Sequence, residues 1–149
     1  MKTWYCFLFT ILFSIFSFGQ TKGKESILIQ SINFYTTTII SVPCESFATQ
    51  FKDNLRINEI YAEDSIAILD QFIKKIKFSK NRNAGSVNTR AKLIYKNKNG
   101  KEIIICVDRF NAIIDGHLAK KNKLFLKFIL SLIPEEQLRF DYPKVHSAM

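Results

Sequence analysis

A segment of alternating apolar and polar residues and a continuously apolar segment flank a short turn in the middle of the chain. In Val87–Lys96 the residues Val87, Thr89, Ala91, Leu93 and Tyr95 alternate with Arg90, Lys92 and Lys96. This period of two is typical of a half-buried strand. Glu102–Val107 is apolar on both faces, which predicts a central strand. Between them, Asn97–Gly100 predicts a hairpin turn in which Asn99 and Gly100 supply positive φ angles.

Two helices are predicted from apolar residues that recur three or four positions apart. The first spans Ser65–Phe78 with Asp64 as its N-cap, and the second spans Lys123–Leu132 with Asn122 as its N-cap. In each, five apolar side chains share one face. Their buried sets are Ile66, Leu69, Phe72, Ile73 and Ile76 in the first helix, and Leu124, Phe125, Phe128, Ile129 and Leu132 in the second.

Four further segments have strand or helix patterns. Ser26–Val42 has a strand pattern, but its length predicts a bend or turn near residues 35–37. Ser46–Leu55 predicts a short helix, Arg56–Tyr61 a brief strand, and Ala112–Ile114 a short strand that ends at Asp115-Gly116. The whole pattern predicts an α+β fold, a small antiparallel sheet of about four or five strands with two or three helices packed on one face.

The N-terminal segment has the features of a secretory signal. Lys2 is its only charge, an apolar run extends from Trp4 to Phe18, and Ser17 and Gly19 supply small residues before a cleavage site at Gln20. The run is shorter than the roughly 20 residues of a membrane-spanning helix, although an uncleaved anchor is the alternative. We expect a signal peptide at 1–19, a polar leader at 20–25, a single domain at 26–134, a polar tail at 135–149, and an exported protein, periplasmic or secreted, without a transmembrane helix after cleavage.

Cys44 and Cys106 are the only cysteines after the predicted cleavage site. In an oxidising compartment such a pair predicts one disulfide, and two buried free thiols are the alternative. No CxxC, HxH or HxxxH spacing is present, and the sequence has neither a P-loop nor a dinucleotide-binding glycine motif. We therefore expect no metal site and no cofactor.

Positive charge is concentrated in one stretch of a chain whose net charge is +9. Residues 71–101 contain ten basic residues and no acidic one. They are Lys74, Lys75, Lys77, Lys80, Arg82, Arg90, Lys92, Lys96, Lys98 and Lys101. A second cluster without acidic residues consists of Lys120, Lys121, Lys123 and Lys127. If these residues form one surface, they attract anionic partners.

For an exported protein such partners are an anionic glycan, lipopolysaccharide or an acidic protein, whereas nucleic acid is not expected. The charge also has a purely structural explanation, because lysines complement the C-terminal dipole of a helix and protect sheet edges from aggregation. Our hypothesis is a non-enzymatic binding module with a basic face at 74–101.

Two alternatives stay open. An envelope enzyme would use Asp108, Asp115 and His117, with Arg109 beside them, because a carboxylate and an imidazole can act as acid and base. The same residues are also typical of turns and of a simple Asp108–Arg109 pair. The other alternative is an inhibitor or immunity-type protein whose surface matches one acidic protein.

Overall fold

The computed structural model describes residues 24–80 and 87–139. Six strands form one antiparallel sheet in the order β2-β1-β3-β4-β5-β6. The strands are β1 Ser26–Ser31, β2 Arg56–Ile60, β3 Ala91–Lys96, β4 Glu102–Val107, β5 Ala112–Ile114 and β6 His117–Leu118. The helices are α1 Phe47–Gln50, α2 Glu63–Lys75, α3 Lys123–Ser131 and α4 Glu135–Leu138. The predicted α+β fold is confirmed.

The strand count exceeds the prediction because the chain turns back after β5. Asp115 and Gly116 have φ angles of 46° and 78°, and two consecutive positive φ angles are typical of the tight turn in a two-residue hairpin. This turn pairs β6 with β5, so that Ile113 lies opposite Leu118. A two-residue strand has too few positions to show a period, and the sequence pattern therefore did not reveal it.

One face of the sheet carries the main core. Ile27 and Ile29 of β1, Leu93 and Tyr95 of β3, and Ile105 of β4 are almost fully buried on this side, which we call the helical face. Packed against these strands are Ile66 and Leu69 of α2, and Phe125 and Ile129 of α3. The rings of Phe72 and Phe125 lie 5.6 Å apart and join the two helices.

The opposite side of the sheet, which we call the second face, is covered at one end. Side chains alternate along β4, so Cys106 points away from its neighbours Ile105 and Val107. There it meets Cys44, with the two Sγ atoms 2.04 Å apart and the Cα atoms 5.7 Å apart, so the predicted pair lies at disulfide distance. Nearby, Phe47 of α1 packs with Ile32 and Val42 in a separate small cluster.

Strand β1 ends earlier than the apolar pattern predicts. The side-chain oxygen of Asn33 accepts a hydrogen bond from the backbone N–H of Tyr35 at 2.8 Å, which turns the chain out of the sheet. The turn falls at the edge of the predicted 35–37 bend. Beyond the turn, Val42 is buried but Ile40 is 69% exposed. The alternation predicted up to Val42 therefore does not correspond to one buried face of a strand.

Both long helices differ from prediction at particular residues. Helix α2 begins at Glu63 with Ala62 as its N-cap, so Asp64 lies in the first turn instead of capping it. Its end at Lys75 precedes the predicted end because the next residues become extended and Phe78 bridges Ala119 at the sheet edge. In α3, Asn122 caps the helix as predicted, its side chain accepting from Phe125 N at 3.1 Å. Leu124, predicted to be buried, is 71% exposed.

The segment predicted to be a polar tail begins with a packed helical turn. The backbone N–H of Phe34 donates to the carbonyl of Gln137 at 2.8 Å, and the side-chain amide of Asn33 donates to the carbonyl of Arg139 at 3.1 Å. Leu138 of α4 also packs against the main core. The predicted signal, the first four residues of the leader and the rest of the tail lie outside the described residues.

Candidate anion-binding site

The structure distributes the basic stretch over several surfaces. Lys92 and Lys96 lie on the second face of the sheet, whereas Lys74 and Lys75 end α2, which covers the helical face. Lys98 and Lys101 lie at the β3–β4 turn, and Arg82 lies outside the described residues. Strands rise about 3.3 Å per residue. Arg90 and the turn are therefore at opposite ends of β3, and the ten positions do not share one face.

Some of this charge is paired. Lys74 Nζ lies 2.6 Å from the Asp70 carboxylate, and Lys98 Nζ lies 3.9 Å from that of Glu25. These groups line a cavity of about 780 Å³ between α2 and the β3–β4 turn. Tyr95 forms part of its wall, and its hydroxyl lies 3.3 Å from the Glu25 carboxylate. The cavity holds both signs of charge and does not favour anions.

The sheet edge beside β6 joins the two lysine clusters. The backbone N–H of Lys120 donates to the carbonyl of Lys77 at 2.8 Å, and that of Ser79 donates to Leu118 at the same distance. Lys77 and Lys80 thus lie next to Lys120 and Lys121, all four with exposed side chains. This contact was not predicted, because it depends on the early end of α2.

Arg90 is the member of the basic stretch whose environment differs most from prediction. The alternation places it on a solvated side, but it is only 7% exposed. Its Nη1 donates to Asn88 Oδ1 at 2.9 Å and to Thr89 O at 3.2 Å, while its Nη2 donates to Thr36 O at 2.9 Å and Thr38 Oγ1 at 3.2 Å. These bonds fasten the segment after β1 to the start of β3.

Arg109 lies beside Arg90 and is exposed. Its Nη2 donates to Phe34 O at 2.9 Å, and its guanidinium stacks on the Tyr35 ring, 3.8 Å from the centroid. In the described part of the chain this is its only hydrogen bond to protein, so Nε and Nη1 remain available as donors. The two arginines line a pocket of about 260 Å³ together with Phe34, Tyr35, Thr36, Asn88, Asp108 and Phe110.

The charge of the two arginines is not neutralised by contact. Within residues 24–80 and 87–139, no carboxylate lies within 4.0 Å of either guanidinium. Burial lowers the pKa of Arg90, and the positive charge of Arg109 lowers it further, whereas the negative charge of Asp108 partly opposes both effects. A buried arginine without a paired carboxylate is uncommon, because an isolated charge is costly to bury.

The acidic and imidazole candidates do not converge. Asp108 Oδ1 accepts from the backbone N–H groups of Phe110 and Asn111 at 2.6 and 2.7 Å, and so shapes the turn after β4. Asp115 Oδ1 accepts from Ile104 N at 2.8 Å, and the His117 ring hydrogen-bonds the Asp115 carbonyl. Asp108 lies before β5, and the other two follow it, so the strand separates them.

The segment that contains Val42 and Cys44 positions the arginine pocket. Asn88 Oδ1, which accepts from Arg90, also accepts from Val42 N at 3.0 Å, and Thr89 N donates to Val42 O at 2.9 Å. Val42 is two residues from Cys44, which joins Cys106 on β4. The disulfide thus ties the segment that holds Arg90 to the strand that leads into Arg109.

Sequence reasoning identified Arg90 and Arg109 but placed them in different groups, and it did not single out Tyr35 or Phe110. Their proximity arises from the pairing of β3 with β4, in which Ala91 lies opposite Val107. Arg90 directly precedes β3, and Arg109 follows β4 by two residues. Because the two strands are antiparallel neighbours, both arginines lie at the same end of the sheet, and the predicted hairpin could have indicated this.

Within the described ranges, no three His, Cys, Asp or Glu side chains are grouped as metal ligands would be. No helix in that part of the chain combines the length and apolar character needed to cross a membrane. Comparisons of the chain with protein-family models, curated proteins and solved structures found no match.

Proposed function

We propose that this chain is an exported, non-enzymatic binding protein that recognises an anionic group of an envelope partner at the Arg90–Arg109 pocket. The proposal rests on one observation, the burial of Arg90 beside a second arginine with no carboxylate of the described residues in ion-pair contact. It narrows the hypothesis of an extended basic face to one end of the sheet.

The two arginines have different parts in this proposal. Arg90 already uses four N–H groups within the protein, so it contributes fixed positive charge in a poorly solvated position. Arg109 contributes donors, because Nε and Nη1 lack protein partners in the described residues. The planar guanidinium suits paired hydrogen bonds to a carboxylate, phosphate or sulfate.

The fixed position of Arg109 makes it suited to binding. Its guanidinium is held on one side by Phe34 O and on one face by the Tyr35 ring. A donor that is already oriented loses less conformational entropy when a ligand arrives. The Cys44–Cys106 disulfide is compatible with an oxidising compartment such as the periplasm or the outside of the cell, where anionic glycans, lipopolysaccharide and acidic proteins occur.

The test is an NMR titration of the purified protein with sodium sulfate at constant ionic strength. We expect the Arg109 side-chain signal and the amides of residues 34–36 and 108–110 to shift together and to saturate. Arg109→Gln should weaken this binding about tenfold, as the loss of one charge-assisted contact of about 1.4 kcal/mol implies. Arg56→Gln removes the same charge from an exposed position on β2 and should leave binding unchanged. Equal affinity of both variants would contradict the proposal.

A further inference from the structure

Phe110 separates the arginine pocket from a second group of basic residues. Its side chain is 71% exposed and lines the Arg90–Arg109 pocket on one side. On the other side it borders a shallow crevice formed with residues 119–122, which include Lys120 and Lys121. A single exposed aromatic residue on a surface is common, but this one has cationic side chains on both flanks.

The crevice has a second source of positive potential. Helix α3 begins directly after it, with Asn122 as the N-cap and no acidic residue in the first turn. The N-terminus of a helix carries a partial positive charge that acidic side chains commonly offset. Here Lys123 occupies the first helical position and adds to the charge. The crevice is therefore cationic through both its side chains and its backbone.

From this arrangement we infer that the ligand is an acidic oligosaccharide that spans both sites, with one anionic group at Arg109, a sugar ring on Phe110 and a second anionic group at Lys120–Lys121. This inference rests on the proposed function and extends it to a substrate class. A sugar ring has an apolar C–H face that packs on an exposed aromatic ring, and anionic substituents on neighbouring sugars supply charges on either side of it.

An acidic protein segment fits this surface less well. Its carboxylates are carried on flexible chains, so an apolar side chain between them is not held at a fixed distance from both charges as a sugar ring is. Long-range attraction would then govern binding, and a lysine pair elsewhere on the surface would contribute about as much as Lys120 and Lys121. Lys92 and Lys96, which are half-buried on the second face, provide that comparison.

The experiment measures the affinity of the purified protein by calorimetry for a sulfated tetrasaccharide and for a glutamate peptide of the same net charge, both at constant ionic strength. The wild type should bind the tetrasaccharide at least tenfold more tightly than the peptide. Phe110→Ala should weaken tetrasaccharide binding about five- to tenfold, a larger factor than the one by which it weakens binding of the sulfate ion. The exposure of Phe110 makes this variant compatible with the fold.

A charge-matched pair of double variants tests the second anionic contact. Lys120→Gln/Lys121→Gln should weaken tetrasaccharide binding about tenfold, whereas Lys92→Gln/Lys96→Gln should change it less than twofold. Equal losses in the two double variants, or a glutamate peptide that binds as tightly as the tetrasaccharide, would overturn the inference. If the wild type still binds sulfate and Arg109→Gln does not, the proposed function holds even when the oligosaccharide inference fails. The two failures are therefore distinguishable.

Discussion

At the scale of single residues, Arg90 shows how a charged side chain becomes part of the interior. It follows Thr89, which is fully buried, and precedes Ala91 at the start of β3. Four hydrogen bonds to the segments 36–38 and 88–89 replace those that water would make. A period of two assigns such a residue to solvent, because the pattern contains no information about the distant segment that covers it.

We expect Arg90→Gln to lower the free energy of unfolding by about 2 kcal/mol, since several charge-assisted hydrogen bonds are lost and the carbonyls of Thr36 and Thr89 lose this donor. Urea unfolding followed by circular dichroism measures this difference. Arg56→Gln, at an exposed position, should fall within about 0.5 kcal/mol of the wild type. An unchanged Arg90→Gln variant would mean that the segment after β1 is held by other contacts.

Tyr95 gives a prediction for alkaline pH. The pKa of this phenol is raised to about 12, mainly by burial and further by the negative charges of Asp70 and Glu25 and the hydrogen bond to Glu25. In the unfolded chain the phenol titrates near its ordinary value of about 10. The folded state therefore retains the proton longer, and stability falls as the pH rises from about 10 through 12.

The loss of stability attributable to Tyr95 is bounded by about 2.7 kcal/mol, since one pKa unit corresponds to about 1.36 kcal/mol. Tyr95→Phe has no proton to lose at this position, so its unfolding free energy should decline less steeply over the same pH range. Chemical unfolding of both proteins at a series of pH values provides the measurement. Parallel curves would show that Tyr95 does not contribute.

At the scale of elements, those that are determined by adjacent residues were predicted well. The β3–β4 hairpin and the Asn122 cap of α3 were predicted because each depends on a few adjacent residues. In the hairpin turn, however, only Gly100 has a positive φ, at 75°, and the Asn97 side chain accepts from the backbone N–H groups of Asn99 and Lys101. The role assigned to Asn99 was therefore wrong.

Elements that depend on tertiary contacts were less predictable. Helix α2 ends early because Phe78 pairs with Ala119, 41 residues later in the sequence. Leu124 fits the apolar period of α3 but projects away from the core. At the candidate site, the sequence analysis named both arginines but did not predict that they lie side by side. Neither the burial of Arg90 nor the stacking of Arg109 on Tyr35 follows from composition or spacing.

The Cys44–Cys106 bridge links an irregular segment to a central strand and closes a sequence separation of 62 residues. The chain-entropy model assigns about 4 kcal/mol to a loop of this length. We expect Cys44→Ala/Cys106→Ala to lose stability of this order in urea unfolding. Reducing agent should destabilise the wild type similarly and leave the double variant unaffected. A loss below about 1 kcal/mol would indicate that the packing of Phe47 with Ile32 and Val42 already holds the segment.

At the scale of the whole molecule, the distribution of charge matters more than its sum. Positive charge is concentrated in residues 71–101 of the sequence. In the structure those side chains lie on both sides of the sheet, at the β3–β4 turn and, for Arg90, in the interior. The same fold brings Arg109, Lys120 and Lys121, which are distributed along a later part of the sequence, to the two sides of Phe110. Contiguity in sequence and contiguity in space therefore identify different basic surfaces.

Two triple variants distinguish these surfaces at equal net charge. The first variant is Arg109→Gln/Lys120→Gln/Lys121→Gln, and the second is Lys92→Gln/Lys96→Gln/Lys98→Gln. Each removes three positive charges, so non-specific attraction to a polyanion falls by a similar amount in both. Retention on a sulfated-polysaccharide column in a salt gradient then reports local contacts, because each contact with an anionic group adds to the salt dependence. We expect the first variant to elute at clearly lower salt than the wild type and the second to elute close to it. If the order is reversed, the second face and the β3–β4 turn form the working surface, and the pocket at Arg90 is a structural feature alone.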